Sequence, residues 1–319
     1  MSRLFRDVDG GPLGPQRSVV CIGAFDGLHR GHQALVQRTL ARARAQQAQS
    51  VVLSFEPLPR EFFLGDQAPP RIAGFRSRVQ LLSAMGVERI GLLRFNAKLA
   101  GMSAEQFVEQ VLVGRLRAVE VWIGEDFRFG KGRRGDRQLL QQMGEQLGFS
   151  CQVMERVDLD GERVSSSRIR SALAEGDLAL AGELLGHPYR ISGRVVKGQQ
   201  LGRTLGFPTA NLRLAGRKPA LSGIVAAWVS GISECARLPA VCSIGTRPTV
   251  GGVEPLLEVH LFDFEGDLYG RRLTVDFVAK LRDEATFPDL PSLCLQMQLD
   301  AQRARELLSL NIDVQRRLA

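Results

Sequence analysis

A chain of 319 residues is long enough for about two domains, each able to bury a core of ordinary size. With 44% hydrophobic and 24% charged residues, and no apolar run of about 18, it reads as a folded globular protein, neither disordered nor membrane-spanning. A formal charge of +8 suits polyphosphate ligands as well as nucleic acid. The arginines are spread along the whole chain, with no Lys/Arg block and no aromatic RNA-binding motif, so nucleic acid is not expected as a partner.

The opening residues, Met-Ser-Arg-Leu-Phe-Arg-Asp, lack the apolar core of a signal peptide, and a cytoplasmic location away from membranes is expected. Cys21, Cys151, Cys235, Cys242 and Cys294 are odd in number and never form a C-x-x-C pair, so reduced, mostly buried thiols are expected.

Residues 18–25 have the β-branched content of a buried parallel strand, and residues 31–46 have helical apolar spacing. Between them lies Gly-Ala-Phe-Asp-Gly-Leu-His-Arg-Gly-His, which holds two of the four histidines, His29 and His32. Glycines that let backbone approach a ligand, followed by a helix N-terminus, make an anion site to which imidazoles can add donors. Read from the residues alone, the pair also fits an ordinary polar helix start or chance metal-ligand spacing.

A strand at 50–55 completes a βαβ unit and runs into a proline-punctuated segment, 56–63. This is expected to be a loop at the carboxyl edge of the sheet, with Arg60 either on a phosphate or simply at the surface. A helix at 76–86, a strand at 89–95, a helix opened by Ser103 and Gln106 and running to 113, and a strand at 119–124 follow. Residues 125–136 interleave glycine with lysine and arginine, as in a flexible cationic loop around phosphates or a solvated basic turn. A helix at 137–147 and a strand at 151–157 lead to Val-Ser-Ser-Ser-Arg-Ile-Arg. Its hydroxyls are either N-caps or, with Arg168 and Arg170, a phosphate clamp. Helices at 169–175 and 178–185 close a doubly wound α/β half, and the pattern changes at Gly186, which gives domains at 1–186 and 187–319.

The second half has six strand candidates, at 191–197, 209–214, 223–230, 238–244, 256–264 and 271–280, without intervening helices. That spacing predicts an antiparallel six-stranded β-barrel, closed by a terminal helix at 291–310 with Asp289 as its cap. Gly198, Gly202 and Gly206 recur every four residues, as in hairpin turns or a mobile flap over phosphates; the Gly-Lys-Ser/Thr ending of a P-loop is missing. Thr209 and Asn211 lie two apart, on one face of an extended segment, where a hydroxyl and an amide oxygen can join phosphates around magnesium. Glu258, His260 and Phe262 share one face of their strand, and Val259 and Leu261 the other.

Five of these stretches, in order between about residues 15 and 290, resemble the signatures of the prokaryotic FAD synthetases, bifunctional riboflavin kinases and FMN adenylyltransferases. The first half resembles the nucleotidyltransferase superfamily, and Gly-Phe-Pro-Thr-Ala-Asn resembles riboflavin kinases. The resemblance implies that Gly23, Phe25, Asp26, His29, Gly31, His32, Asp126, Ser166, Ser167, Arg168 and Arg170 serve ATP and the adenylyl transfer. It implies a phosphate flap at Gly198, Gly202 and Gly206, magnesium at Thr209 and Asn211, flavin at Phe207 and Arg282, and Glu258 as general base, with His260 a tuning group or a mere neighbour. Riboflavin, FMN and ATP are then the substrates, for a monomer or weak oligomer. Ser167 replaces a family threonine, Leu58 a family histidine, and the usual Gly-Val-Tyr-Ala lacks its tyrosine at 223–228. Rival readings are a chain with one activity only, or a flavin- or RNA-binding regulator.

Overall fold

The computed structural model describes residues 2–198, 202, 205–214, 218–232, 237–249 and 252–318, without the side chains of 247–249, 252–254 and 311–318. The chain divides into two compact units, 1–69 with 75–164, and 70–74 with 165–319. Among the described residues no helix is long and apolar enough to cross a membrane.

The first unit contains β1 (Arg3–Phe5), β2 (Ser18–Ile22), α1 (Arg30–Ala45), β3 (Gln49–Glu56), α2 (Pro59–Leu64), α3 (Phe75–Ala84), β4 (Arg89–Arg94) and α4 (Ala97–Gly101). After these come α5 (Ala104–Gln106), which continues as a π-helical stretch Phe107–Arg115, then β5 (Ala118–Gly124), α6 (Arg137–Leu147), β6 (Ser150–Met154) and a hairpin of β7 (Asp158–Leu159) and β8 (Glu162–Arg163). Six strands form one parallel sheet in the order β1-β4-β3-β2-β5-β6. Every residue of β2 is buried, as a central parallel strand requires. The order reverses at β2, so the crevice beyond its carboxyl end is where a doubly wound sheet binds ligands.

The expected strand at 18–25 stops at Ile22, because Phe25 (φ 49°), Gly27 (φ 84°) and Leu28 (φ 47°) turn the chain through left-handed backbone. The expected loop at 56–63 is largely helix α2: Pro59 at the first helical position needs no N–H there, and Glu61 accepts from the Leu58 N–H at 2.7 Å. β1 is too short to leave a periodic signal in the sequence.

In the second unit, α7 (Ser166–Glu175) and α8 (Leu178–Leu185) precede β9 (Arg190–Val196), β10 (Ala210–Arg213), β11 (Gly223–Ser230), β12 (Leu238–Thr249), β13 (Gly252–Leu261), β14 (Arg272–Arg282) and α9 (Leu290–Leu318). The six strands close a barrel, β10-β13-β12-β11-β14-β9, antiparallel throughout. Val195, Leu212, Leu257 and Val259 fill the buried set, and the alternate residues form the other face. Ala304 and Leu308 of α9 pack with Ala226 and Phe262, and Asp289 caps α9 through the Ser292 N–H at 2.8 Å. The compact division falls at 164/165, ahead of the expected 186, because α7 and α8 pack with the barrel: the Lys280 side chain lies against Gly176 at the end of α7. Cys21, Cys151 and Cys242 are buried, as expected, Cys294 is part-exposed, and Cys235 lies outside the described residues.

One interaction fixes the ends of β2 and β3. Arg78, fully buried on α3, donates to Ala24 O (3.2 Å), Ser54 Oγ (3.1 Å), Phe55 O (3.2 Å) and the Glu56 carboxylate, and Ser54 Oγ donates to Ala24 O at 2.9 Å. Truncating it strands a largely buried carboxylate and three acceptors. Arg78→Ala is therefore expected to destabilise the first unit by about 3–5 kcal/mol. The check is urea unfolding followed by Trp122 fluorescence in a Trp228→Phe background; an unchanged midpoint would refute it.

Candidate functional site

At the end of β2 the chain turns at Gly23 and Phe25 into α1. His29 is the N-cap: its Nδ1 accepts from the His32 N–H at 3.3 Å. The two imidazoles stack with centroids 3.6 Å apart and planes 18° apart, and Phe25 lies 5.1 Å from His32 on a tilted ring. A side chain at Gly31 would sit 3.3 Å from the His29 ring, and one at Gly23 3.3 Å from the Phe25 ring, so both glycines leave room for this packing. Asp26 is buried in the same turn. Burial, then the neighbouring His29, holds the His32 pKa well below its ordinary 6.5. Gly23, Phe25, Asp26, His29, Gly31 and His32 are thus brought together at the switch point.

The basic loop after β5 is pinned at its base, more firmly than a flexible loop implies. Phe129 and Gly135 exchange backbone hydrogen bonds (3.0 and 2.9 Å), Phe129 packs on Phe107 and Phe127, and Lys131 N donates to Met102 O at 2.8 Å. Its exposed tip carries Lys131, Arg133 and Arg134. Asp126 is exposed and paired with Arg163. In the second unit, α7 is capped by Ser165, whose Oγ accepts from the Arg168 N–H at 3.2 Å, so neither Ser166 nor Ser167 is the cap. Arg170 donates from Nε to Pro70 O at 2.6 Å, a contact that ties residues 70–74 to this unit.

On the barrel, Asn211 of β10 and Ser243 of β12 both stand opposite Glu258 of β13, which puts the three side chains on one face at Cβ spacings of about 5 Å. Asn211 is buried, and its Oδ1 has no hydrogen-bond partner among the described residues. Gly198 is packed on that amide: a Cβ there would fall 2.3 Å from Asn211 Nδ2 and 2.8 Å from Oδ1. Gly202 accepts from the Phe207 N–H at 2.7 Å, and a Cβ on Gly202 would lie 3.5 Å from Thr209 Oγ1. Gly206 takes φ 82°. His260 Nδ1 is 2.9 Å from Pro208 O, which can only accept, so this histidine donates and tethers the segment that carries Thr209. Its ring also faces Phe207 at 5.2 Å and Phe262 at 5.8 Å. Arg282 is engaged by Asp300 in a forked pair (2.7–3.1 Å), with Phe287 5.6 Å from its guanidinium. Among the described residues no cluster of three or more His, Cys, Asp or Glu side chains could hold a metal ion.

Two residues escaped the sequence reading. Arg78, within the expected helix at 76–86, and Ser243, within the expected strand at 238–244, were not singled out; only strand pairing and burial expose them.

The family model described as FAD synthetase matches residues 13–168, and the one described as riboflavin kinase matches residues 185–308. A Pseudomonas fluorescens protein is 46% identical over 292 residues, covering 91% of this chain and 92% of its own. One from Escherichia coli strain K12 is 43% identical over 309 residues, covering 97% and 98%. Both are named bifunctional riboflavin kinase/FMN adenylyltransferase. The chain belongs to the bifunctional riboflavin kinase/FMN adenylyltransferase family. A solved Streptococcus pneumoniae structure, titled a macrolide-efflux protein, is similar over 95% of this chain and 98% of its own, with TM-score 0.79 and 30% identity. The bifunctional riboflavin kinase/FMN adenylyltransferase family pairs two enzymatic domains in one polypeptide, and this chain carries both. The FAD synthetase match runs onto the first turn of α7 and takes in Ser166, Ser167 and Arg168.

Two outcomes are expected. Gly198→Val should displace the Asn211 amide and lower FMN formation from riboflavin by about a hundredfold, the scale of a ~1 Å misplacement, in a steady-state assay. For His32, the unfolded chain takes up a proton near pH 6.5 while the folded chain does not, so stability falls as pH drops below that value. Between about pH 7.5 and 5.5 the thermal transition should fall more in the unaltered chain than in His32→Gln. Parallel pH curves would contradict it.

Proposed function

We propose that the barrel phosphorylates riboflavin with Glu258 as general base, and that the turn at the end of β2 transfers AMP from ATP to the FMN so formed. The observation that carries the reading is the buried Asn211 Oδ1, without a hydrogen-bond partner among the described residues, opposite Glu258 in the strand register, with Gly198 packed on the same amide. A buried amide oxygen so placed suits a hard cation or its water.

In the first reaction Glu258 accepts the proton of the riboflavin 5′-hydroxyl as that oxygen attacks the γ-phosphorus of ATP. Thr209 and Asn211 would hold magnesium with the nucleotide phosphates; when bound, it supplies charge neutralisation there. Gly198, Gly202 and Gly206 let backbone close over the phosphates, and Phe207 and Arg282 flank the flavin, with Asp300 holding the Arg282 guanidinium in place.

In the second reaction the FMN phosphate attacks the α-phosphorus of ATP and expels pyrophosphate, with no covalent enzyme intermediate. His29 and His32 stabilise oxygens that gain charge, at a turn shaped by Gly23, Phe25, Asp26 and Gly31. Asp126 belongs near the adenylyl group, and Ser166, Ser167, Arg168 and Arg170 are assigned to phosphate binding on α7. On this reading the functional boundary stays near residue 186, where the riboflavin kinase match begins.

The test is chromatography of products after incubation with riboflavin, ATP and Mg²⁺. The unaltered chain should form FMN and then FAD. Glu258→Gln should form no FMN yet still convert supplied FMN to FAD, and the His29→Ala/His32→Ala double variant should stop at FMN. Unchanged FMN formation in Glu258→Gln would remove the base assignment, and FAD from the double variant would remove the histidines.

A further inference from the structure

We infer that His29 and His32 meet the triphosphate as neutral imidazoles protonated on Nε2, a pair of hydrogen-bond donors and not a cationic clamp. The inference rests on the adenylyl-transfer reading of this turn and specifies the form in which its two histidines act. Three geometric facts carry it.

First, Nδ1 of His29 accepts the capping bond from the His32 N–H at 3.3 Å. An imidazole nitrogen that accepts carries no proton, so the proton of His29 is on Nε2. An imidazolium would turn two donors toward each other and lose the cap of α1. Second, both residues sit at the start of a sixteen-residue helix, His29 as the cap and His32 in the first turn, where the positive end of the dipole opposes a cation. Third, His32 stacks on His29 at 3.6 Å, has Phe25 at 5.1 Å, and its Nδ1 is sealed from solvent with no partner among the described residues. Two stacked cations at that spacing would repel. A sealed N–H without an acceptor is rarer than a sealed lone pair, which puts the His32 proton on Nε2 as well.

The surroundings agree. The cluster around Phe25 and Leu28 is apolar, and its Cys21 thiol is pushed up to about 12 by burial, so it carries no charge. Arg30 is exposed on the first helical residue, and a side chain at Gly31 would meet the His29 ring and the Val164 carbonyl. Asp26 is a buried carboxylate in the turn itself. It can accept from an Nε2–H without moving a proton to Nδ1. Charge neutralisation of ATP therefore falls to arginine and lysine side chains, and neither histidine protonates the departing pyrophosphate.

The test is a long-range ¹H–¹⁵N spectrum of the full chain labelled with ¹⁵N-histidine, recorded without nucleotide or flavin from about pH 8 to about pH 6. His187→Gln and His260→Gln remove the two histidines outside the turn, so the remaining signals are assigned without touching it. Both rings should keep a protonated Nε2 and a bare Nδ1 throughout. A protonated Nδ1 in either ring at about pH 7, or an ordinary titration in that range, overturns the inference whether or not the chain makes FAD. Kinetics give the second arm. His29→Asn keeps a good cap acceptor but lacks the Nε2–H, so its thermal transition should be retained while kcat for FAD formation falls about 10²–10³-fold. Retained kcat in that variant would equally overturn it. If the unaltered chain makes no FAD, the proposed function fails, and the spectrum still decides the tautomers.

Discussion

The first unit works from the edge where β2 and β3 end, and the buried guanidinium of Arg78 holds that edge in shape. It ties the carbonyl of Ala24, inside the turn that leads to His29, to Ser54, Phe55 and Glu56 at the end of β3. A charge so deep is tolerated only because carbonyls, a hydroxyl and a carboxylate surround it. With that edge fixed, the left-handed residues Phe25, Gly27 and Leu28 can aim the start of α1 into the crevice at the switch point.

The barrel solves a related problem by the opposite means. There Asn211 Oδ1 is buried without a hydrogen-bond partner among the described residues, while its neighbours are restrained: Gly198 against the amide and Pro208 held by His260. Glu258 stands opposite Asn211 by strand register alone, so a one-residue slip of β13 would carry its carboxylate to the other face of the barrel.

Much of both sites was legible in the sequence because their residues are close neighbours along the chain. His29 and His32 are three apart at a helix start, and Thr209 and Asn211 are two apart in an extended segment, so local geometry alone brings them together. Arg282 and Arg170 were legible only as arginines. Their partners, Asp300 and the Pro70 carbonyl, are distant in sequence, and no periodic pattern announces a long-range ion pair or backbone contact. The helix α2 was missed because proline was taken as a breaker, although at the first helical position it has no N–H to lose.

By itself the sequence determined the two-part plan: a parallel α/β half recognisable from alternating strand and helix periods, a β-rich half from short strands without helices, and the family from ordered motifs. Those signals are local, so the linear chain carries them in full. Tertiary structure alone decided the strand order that puts the His29 turn at the switch point, the register that sets Glu258 against Asn211, and the burial that makes Arg78 a fastener and His32 a neutral ring. Each of these depends on which distant segment lies alongside and on how much water that neighbour excludes, quantities that no stretch of sequence specifies alone.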